Sequence, residues 1–437
     1  FVAGHAHGPA GAVAMSAALA ARDTLGGGLR YGLLGLPLAF CALPLYVLVP
    51  NFYATQFGIP LAALGAVLLA TRVFDALLDP WIGRWCDRLL ASGSQRLWQC
   101  MAVAALALAG SFCALFQPAT GSGGALWWLA ITLLLTSVAF SVLTVAYQSW
   151  GSALGGDALQ RSRVVAWREG FGLVGVLLAA VVPAIWGVGA MTALMLIALA
   201  LGVWALRAAP RPPVGAPQHR AAPLPDASAW APWHNAPFVR LFIVFALNGI
   251  AAAVPATLVL FFIQDRVQAT GPAQGYFLGL YFLCGALSMP LWLRVVQRLG
   301  LVRTWFIGMA LSVVTFLGCS GIGAGDVWLY ALVCALSGAA LGSDLALPSA
   351  LLTGIVQRSG STPLQGLYFG WWNLVSKLNL SLAAGIALPL LNLLGYAPGA
   401  REPQALQALT WVYCVVPCVF KLMAAAALYF HFIAKPG

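Results

Sequence analysis

Three ionisable residues, Arg72, Asp75 and Asp79, lie in a run from Leu61 to Trp81 that is otherwise uncharged and almost entirely apolar. In a helix, residues three, four and seven positions apart share one face, so the arginine and both carboxylates point the same way. A charged residue at the centre of a membrane helix costs about 2.5–3.5 kcal/mol on insertion scales. That cost favours a binding or coupling site over a structural ion pair, since one Arg–Asp pair would be enough to tie two helices together.

Two carboxylates one helical turn apart can exchange a small cation for a proton or a basic side chain. A hard cation such as Na⁺ prefers several oxygen ligands. Asp75 and Asp79 would supply the first of these, and the hydroxyl groups of Ser141 and Thr144 in the fourth predicted span could complete the shell. A proton could serve instead, because two carboxylates held close together favour sharing one. Arg72 is a candidate coupling residue beside them.

Composition indicates a chain that lies almost entirely in the membrane. The 437 residues are 62% hydrophobic and 8% charged, against about 25% charged in soluble domains. The mean hydropathy is +0.91. Because one membrane span needs about 20 apolar residues, the sequence predicts an all-α membrane protein of twelve transmembrane helices. The predicted spans are 30–52, 61–83, 97–117, 126–150, 164–187, 190–207, 238–263, 275–296, 302–321, 327–355, 364–394 and 405–433.

A proline-rich segment, residues 208–237, divides these spans into two groups of six. Its composition predicts an extended linker between an N-terminal six-helix bundle, residues 30–207, and a C-terminal one, residues 238–433. Two six-helix halves joined by a linker are typical of major facilitator transporters. Residues 1–29 are expected to form a cytoplasmic tail, because they lack the pattern of a signal peptide. The GRWCDR sequence after the second span, residues 83–88, is expected to form a cytoplasmic turn.

Positive charge is distributed unevenly between the two predicted sides. Of the 22 lysines and arginines, sixteen fall on the side that carries the linker, two (Arg266 and Arg401) on the opposite side, and the others within spans. Because cytoplasmic loops carry the excess of Lys and Arg, both termini and the linker are predicted to be cytoplasmic, in a bacterial inner membrane. The net charge of +11 is then a consequence of topology. Membrane lipids are therefore expected partners and nucleic acids are not.

Other charged residues fall within the spans. Arg168, near the cytoplasmic end of the fifth span, could bind substrate or act as an interfacial anchor. Lys377 lies in the middle of the eleventh span, one turn after Asn373, and both are candidate substrate-binding or coupling residues. Asp344 in the tenth span could pair with Lys377 or serve as an extra proton site. Lys421 in the twelfth span is expected to face lipid or headgroups.

No residue pattern indicates an enzyme or a bound cofactor. The nine cysteines show no metal-ligand spacing, and the five histidines lie in the tail, the linker or a helix end, which disfavours a histidine proton relay. A channel is disfavoured because no filter loop or charged ring is visible. A monomer is expected. The alternative to a transporter is a membrane receptor or scaffold with the same fold, which would have little reason to keep a costly Arg/Asp/Asp face.

Four motifs resemble the glycoside–pentoside–hexuronide:cation symporters, the melibiose-permease branch of the major facilitator superfamily. The motifs are YGLLGLP (31–37), RVFDALLDPWIG followed by DR (72–88), VAYQSWGSAL with the following RSRVVAWREGFG (145–172), and LQGLYFGWWNLVSKLNLSLAAG (364–385). The resemblance implies that Asp75 and Asp79 bind the coupling cation. It also implies that Arg168 and Lys377 belong to a polar site between the halves.

The chain departs from the sugar permeases of this family at several positions. Leu38 and Ala39 stand where those permeases carry a lysine and a substrate-binding aspartate, and Thr144 stands at the position of a second substrate aspartate. A buried carboxylate that binds hydroxyl groups discriminates strongly for them, so these changes remove the main contacts expected to hold a sugar. Leu78 replaces the asparagine that precedes the second cation-binding aspartate, which leaves both Na⁺ and H⁺ open.

The family also contains a branch of sodium-dependent lysophosphatidylcholine transporters, which likewise lacks the first-helix acid and keeps both second-helix aspartates. Arg168 and Lys377 would suit an amphipath with an anionic headgroup. The sequence therefore predicts a cation-coupled symporter of an organic solute that works by alternating access. Its substrate is either sugar-like or lysolipid-like.

Overall fold

The computed structural model describes residues 25–57, 59, 61–119, 124–212, 228–269, 273–396 and 399–434. Most of the predicted tail and the central part of the linker lie outside these residues. Within them the chain is helical and has no strand, which confirms the all-α fold class. The bounds of the α-helices are α1 Leu25–Gly32, α2 Gly35–Leu43, α3 Val49–Phe57, α4 Leu61–Ala91, α5 Ser94–Phe116, α6 Ala125–Ala153, α7 Ala158–Arg207, α8 Ala236–Phe261, α9 Ala273–Cys319, α10 Val327–Arg358, α11 Gln365–Leu393, α12 Pro403–Thr410 and α13 Val416–Leu428.

Short helices of other types continue or connect these elements. Among the described residues, π-helical turns follow α2, α8, α12 and α13, and one-turn 3₁₀ helices precede α8 and α11. Their bounds are Pro44–Leu48, Phe262–Val267, Trp411–Val415, Tyr429–Ile433, Ala231–His234 and Thr362–Leu364. The first predicted span thus consists of α1, α2, a π-helical turn and α3 instead of one straight helix.

Nine helical stretches of the described residues are long and apolar enough to cross a membrane. One of them, Gly275–Cys319, covers two predicted spans, and the break between these spans lies at Gly300 with φ 76°. Gly187 breaks α7 in the same way, with φ 78°, between the predicted fifth and sixth spans. Glycine fits both positions because positive φ is strained for other residues. Helices α4 and α11, which carry charged residues of interest, are 31 and 29 residues long but are not among the nine.

The predicted turn at residues 83–88 is wrong. Helix α4 continues without interruption to Ala91, and the chain turns at Ser92 and Gly93, where Gly93 has φ 130°. Residues 83–88 contain no helix breaker apart from Gly83, whose lack of a side chain has a packing role instead. The helix therefore extends about two turns beyond the predicted span.

The described chain divides into two compact units, whose bounds differ from the predicted bundles. The N-terminal unit comprises Phe1–Pro232 and Val356–Trp371, and the C-terminal unit comprises Trp233–Ile355 and Trp372–Gly437. The first two turns of α11 thus pack with the N-terminal helices. A capping box begins α7, in which Asp157 Oδ1 accepts the Gln160 N–H and the Gln160 side chain accepts the Asp157 N–H.

Helices α4 and α11 meet within the N-terminal unit at positions that have no side chain. A Cβ atom on Gly83 would overlap the Gly366 carbonyl group, and one on Gly370 would overlap the backbone of Asp79 and Pro80. Gly366 and Gly370 are one turn apart, which is the small-residue spacing that lets membrane helices approach backbone to backbone. This close approach places α11 directly against the turn of α4 that carries Asp79.

In the C-terminal unit, a buried ion pair joins three helices. Lys421 Nζ on α13 donates to Asp344 Oδ2 on α10 at 2.5 Å, and Trp305 Nε1 on α9 donates to Asp344 Oδ1 at 2.9 Å. The side chains are only 4% (Lys421) and 12% (Asp344) exposed. The prediction that Lys421 faces lipid is therefore wrong, and the partner of Asp344 is Lys421 instead of Lys377. Sequence separation could not reveal this pairing, because the two residues lie on different helices.

Adding one methyl group at the glycine contact should destabilise the protein, whereas adding it at a glycine with open space should not. Gly370→Ala should destabilise the protein by about 1–3 kcal/mol, because the methyl group meets backbone that cannot rotate away. Thermal unfolding in detergent measures the effect. The matched control is Gly279→Ala within α9, where nothing lies within 4 Å of the added atom. Equal unfolding temperatures for the two variants would contradict the close helix contact.

Breaking the ion pair should destabilise the protein, and a second substitution should restore most of the lost stability. Lys421→Met alone should lose about 3–5 kcal/mol, because it leaves the Asp344 carboxylate buried without its counter-charge. The double variant Lys421→Met/Asp344→Leu should regain most of that loss, since it replaces both charges by apolar groups. Unfolding of the purified variants measures both effects. A single variant as stable as wild type would show that Asp344 has another counter-charge.

Candidate functional site

The predicted cation site is assembled from α4 and α6 in the N-terminal unit. Ser141 on α6 donates its hydroxyl to Asp75 Oδ1 on α4 at 2.5 Å. Asp75 is only 6% exposed and Ser141 is fully buried. The structure therefore brings together the first aspartate and the first hydroxyl that the sequence proposed as ligands. This hydrogen bond fixes the direction in which the Asp75 carboxyl group points.

The second aspartate and the second hydroxyl lie one helical turn further along the same two helices. Asp79 is 0% exposed, and the Thr144 Oγ1 atom is buried and has no hydrogen-bond partner among the described residues. Pro80 follows directly and has no N–H group, so the Ala76 carbonyl oxygen loses its partner within α4. This stretch of α4 and α6 therefore concentrates oxygen atoms, which are the ligands that hard cations require.

A small cavity leads to Asp75. It is lined by polar groups of Thr71, Arg72 and Ser137 together with Asp75 itself. The remaining lining residues are Ala42, Leu45, Leu68, Leu133 and Phe140. Arg72 and Asp75 therefore border the same space, as their spacing on α4 predicts. Ser137 lies one turn before Ser141 on α6 and also lines the cavity. The sequence analysis did not propose it, although its spacing from Ser141 places both on the same helix face.

Arg168 forms its ion pair with the next residue in the chain. Its Nη2 and Nε atoms donate to Glu169 Oε1 at 2.6 and 2.9 Å. Tyr31 and Tyr147 lie beside this pair, and the Tyr147 hydroxyl donates to the Tyr31 carbonyl oxygen at 2.6 Å. Arg168 itself is buried. The sequence analysis left substrate binding and interfacial anchoring open for Arg168, and the structure gives it Glu169 as an ion-pair partner.

The remaining predicted residues belong to the C-terminal unit. Asn373 is buried on α11 and Lys377 is half-buried one turn further along. Asp344 lies in the ion pair with Lys421 described above. The structure describes Asn373 and Lys377 within their own unit, so their proposed role toward a substrate stays a prediction.

Asp87 caps a helix, although the sequence analysis placed it only in the predicted turn. Asp87, in the last turns of α4 beyond the predicted span, accepts the Gly366 N–H at 2.5 Å and the Leu367 N–H at 2.9 Å. These groups lie at the start of α11, where N–H groups have no partner within the helix. Burial raises the pKa of the Asp87 carboxyl, and the two N–H donors offset part of that rise. Burial thus favours the protonated carboxyl group, whereas the two N–H groups of α11 favour the carboxylate.

Known proteins resemble this chain in both sequence and fold. Residues 27–435 match the family model described as MFS/sugar transport protein. The inner membrane symporter YicJ of Escherichia coli (strain K12) is 32% identical over 120 residues, which are 27% of this chain and 25% of YicJ. The putative glycoside/cation symporter YagG of the same strain is 25% identical over 156 residues, 34% of this chain and 32% of YagG. These alignments thus span about a quarter to a third of each relative.

Solved structures share the fold at low sequence identity. A bacterial homologue of the iron transporter ferroportin, in an outward-facing state, superposes with a TM-score of 0.68 at 16% identity, covering 93% of this chain and 99% of that one. At this identity the likeness concerns the fold alone. The family match covers nearly the whole chain and agrees with the helical architecture. The chain belongs to the MFS/sugar transport protein family of major facilitator transporters.

Proposed function

We propose that this transporter is a secondary active symporter that couples the movement of an organic solute to a cation bound at Asp75 and Asp79. The observation that carries the proposal is the contact between Asp75 and Ser141, with Asp79 and the unpartnered Thr144 hydroxyl one turn away. Two carboxylates in a membrane helix are costly. A site that binds a cation gives them a function that offsets this cost.

The arrangement supports Na⁺ over H⁺ as the coupling ion. A proton needs only one carboxylate oxygen, whereas Na⁺ needs several oxygens around it. Asp75 and Asp79 would supply charge, Ser141 and Thr144 would supply hydroxyl oxygens, and the Ala76 carbonyl oxygen is available on the intervening turn. A buried hydroxyl without a partner is unfavourable by about 1–3 kcal/mol. Coordination of Na⁺ by Thr144 would recover that free energy.

The ion pair of Arg168 with Glu169 favours a neutral, hydroxyl-bearing solute over a lysolipid, whose headgroup carries an anionic phosphate. An anionic headgroup needs a cationic side chain that is available to it. In the N-terminal unit Arg168 is already neutralised by Glu169 at 2.6 Å. The glycoside named in the description of YagG is consistent with such a solute.

Alternating access would use the contact between α4 and the start of α11. Asp79, Gly83 and Asp87 are spaced four residues apart on α4, so they lie along one stripe of the helix. Gly370 packs on Asp79, Gly366 packs on Gly83, and Asp87 caps Gly366 and Leu367. A change in cation occupancy at Asp79 would thus act on the same helix contact that Asp87 holds at its cytoplasmic end. Both termini are proposed to be cytoplasmic, from the distribution of positive charge.

Neutralising either aspartate should remove coupling while leaving the fold intact. Asp75→Asn and Asp79→Asn should each reduce Na⁺-gradient-driven uptake of a radiolabelled methyl glycoside into proteoliposomes at least about 100-fold, since charge complementarity to the ion is lost. Thr144→Val should raise the Na⁺ concentration needed for half-maximal uptake. The matched control is Asp326→Asn, whose carboxylate accepts the Gly323 N–H in a loop. Uptake by both α4 variants that still follows the gradient would contradict the coupling role.

Removing the helix cap should loosen the cytoplasmic end of the α4–α11 contact. Asp87→Ala is expected to weaken it by about 0.5–2 kcal/mol, the range for loss of an N-terminal cap. A cysteine placed at the fully buried Ser149, which lies beside Gly366, should then react faster with a maleimide. The control is Asp157→Ala, which removes a cap within α7 only. Equal reactivity in both backgrounds would show that Asp87 does not hold this contact closed.

A further inference from the structure

Helices α8 and α11 pack closely within the C-terminal unit. The rings of Phe245 and Trp372 are stacked with centroids 3.6 Å apart and planes at 15°. Two turns further along α11, the Asn379 side chain lies directly against the backbone of Gly249, where a Cβ atom would overlap its amide. Gly249 is the neighbour of Asn248 in the chain. The aromatic stack and the glycine contact thus hold two asparagines at one crossing of α8 and α11.

Both asparagines are buried, and their side-chain oxygens lack hydrogen-bond donors. Asn248 is 3% exposed and Asn379 is 4% exposed. In the part of the chain that the structure describes, neither Oδ1 atom accepts a hydrogen bond. A buried amide oxygen without a donor is unfavourable, and an apolar residue would avoid this cost in a membrane helix. Two such oxygens at one crossing therefore point to a ligand that donates hydrogen bonds there.

The charged residues on α8 and α11 limit which class of ligand can bind where the two helices cross. Helices α8 and α11 contain no aspartate or glutamate, and α11 carries Lys377 two residues before Asn379. A bound ammonium group or metal cation would thus have no negative charge from these two helices and would be repelled by Lys377. A neutral hydroxyl group needs only an acceptor oxygen.

We propose that Asn248 and Asn379 form an acceptor pair that binds a hydroxyl group of a neutral solute. This inference rests on the proposed function and adds to it a specificity site in the C-terminal unit, separate from the cation site on α4 and α6. In the absence of solute the pair would hold water, which the solute hydroxyl displaces.

The experiment measures glycoside binding to purified full-length protein by thermal unfolding. The probes are methyl galactoside and methyl glucoside, their monodeoxy analogues, and lysophosphatidylcholine, each with and without Na⁺. Asn248→Leu and Asn379→Leu should weaken binding of the parent glycoside about tenfold or more. One deoxy analogue, which lacks the recognised hydroxyl, should bind wild type and both variants equally. The control is Ser376→Ala on α11, because the Ser376 hydroxyl already donates to the Trp372 carbonyl oxygen at 2.9 Å.

Unfolding without any solute separates binding from a structural role. Both leucine variants should unfold at or above the wild-type temperature, because they remove an unpartnered polar group. The inference is overturned if the variants bind the glycoside like wild type, if no glycoside stabilises the wild type, or if the variants are destabilised and lose affinity for every analogue equally. Stabilisation by Na⁺ that depends on Asp75 reports on the proposed coupling separately, so either proposal can fail without the other.

Discussion

The buried carboxylates of Asp75 and Asp79 are the constraint on which the N-terminal unit depends. Two negative charges in an apolar helix are costly, and the apolar part of α4 from Leu61 to Trp81 contains only Arg72 as a basic residue, so contacts from neighbouring helices matter. Helix α6 supplies the Ser141 hydroxyl at 2.5 Å to Asp75. The start of α11 packs through Gly370 on the backbone of Asp79 and Pro80. The contacts of α6 and α11 with α4 therefore lie at the turns of α4 that carry these buried carboxylates.

The glycines of α11 have a role that goes beyond close packing. A side chain at Gly366 or Gly370 would overlap the backbone of α4 and force the two helices apart. Because a bare helix surface has no side chain to interlock with the opposing ridge, such a contact can also slide or separate with less steric resistance. The small residues thus permit the closeness that buries the site and, in the proposed mechanism, the motion that opens it.

The residues of the candidate site could be predicted from the sequence better than the partners of its charged side chains. The contact between Asp75 and Ser141 could be predicted, because a cation site needs several oxygen ligands and few polar residues in the neighbouring spans can supply them. The fold class followed from composition and the length of apolar runs. The pairing of Asp344 with Lys421 could not be predicted, because charge alone does not reveal which helices are neighbours. Arg168 and Glu169 are adjacent on α7, so their ion pair requires no knowledge of neighbouring helices. The extension of α4 past Gly83 was not predicted, because residues 83–88 were interpreted as a turn, whereas the helix continues to Ala91 and Gly83 packs against Gly366.

The pairing of charges suggests why coupling would need a cation. Arg168 with Glu169 and Asp344 with Lys421 are each electrically neutral, so these pairs would not respond strongly to one added charge. On α4, residues 72–79 contain one arginine and two aspartates, so this stretch of the sequence has a formal charge of −1. One monovalent cation would make the segment neutral. Because a charge is far less favourable in a low-dielectric interior than a neutral group, the loaded segment would be buried more readily than the empty one. Loading would therefore favour any rearrangement that closes α4 off from water, which is the energetic requirement for coupling.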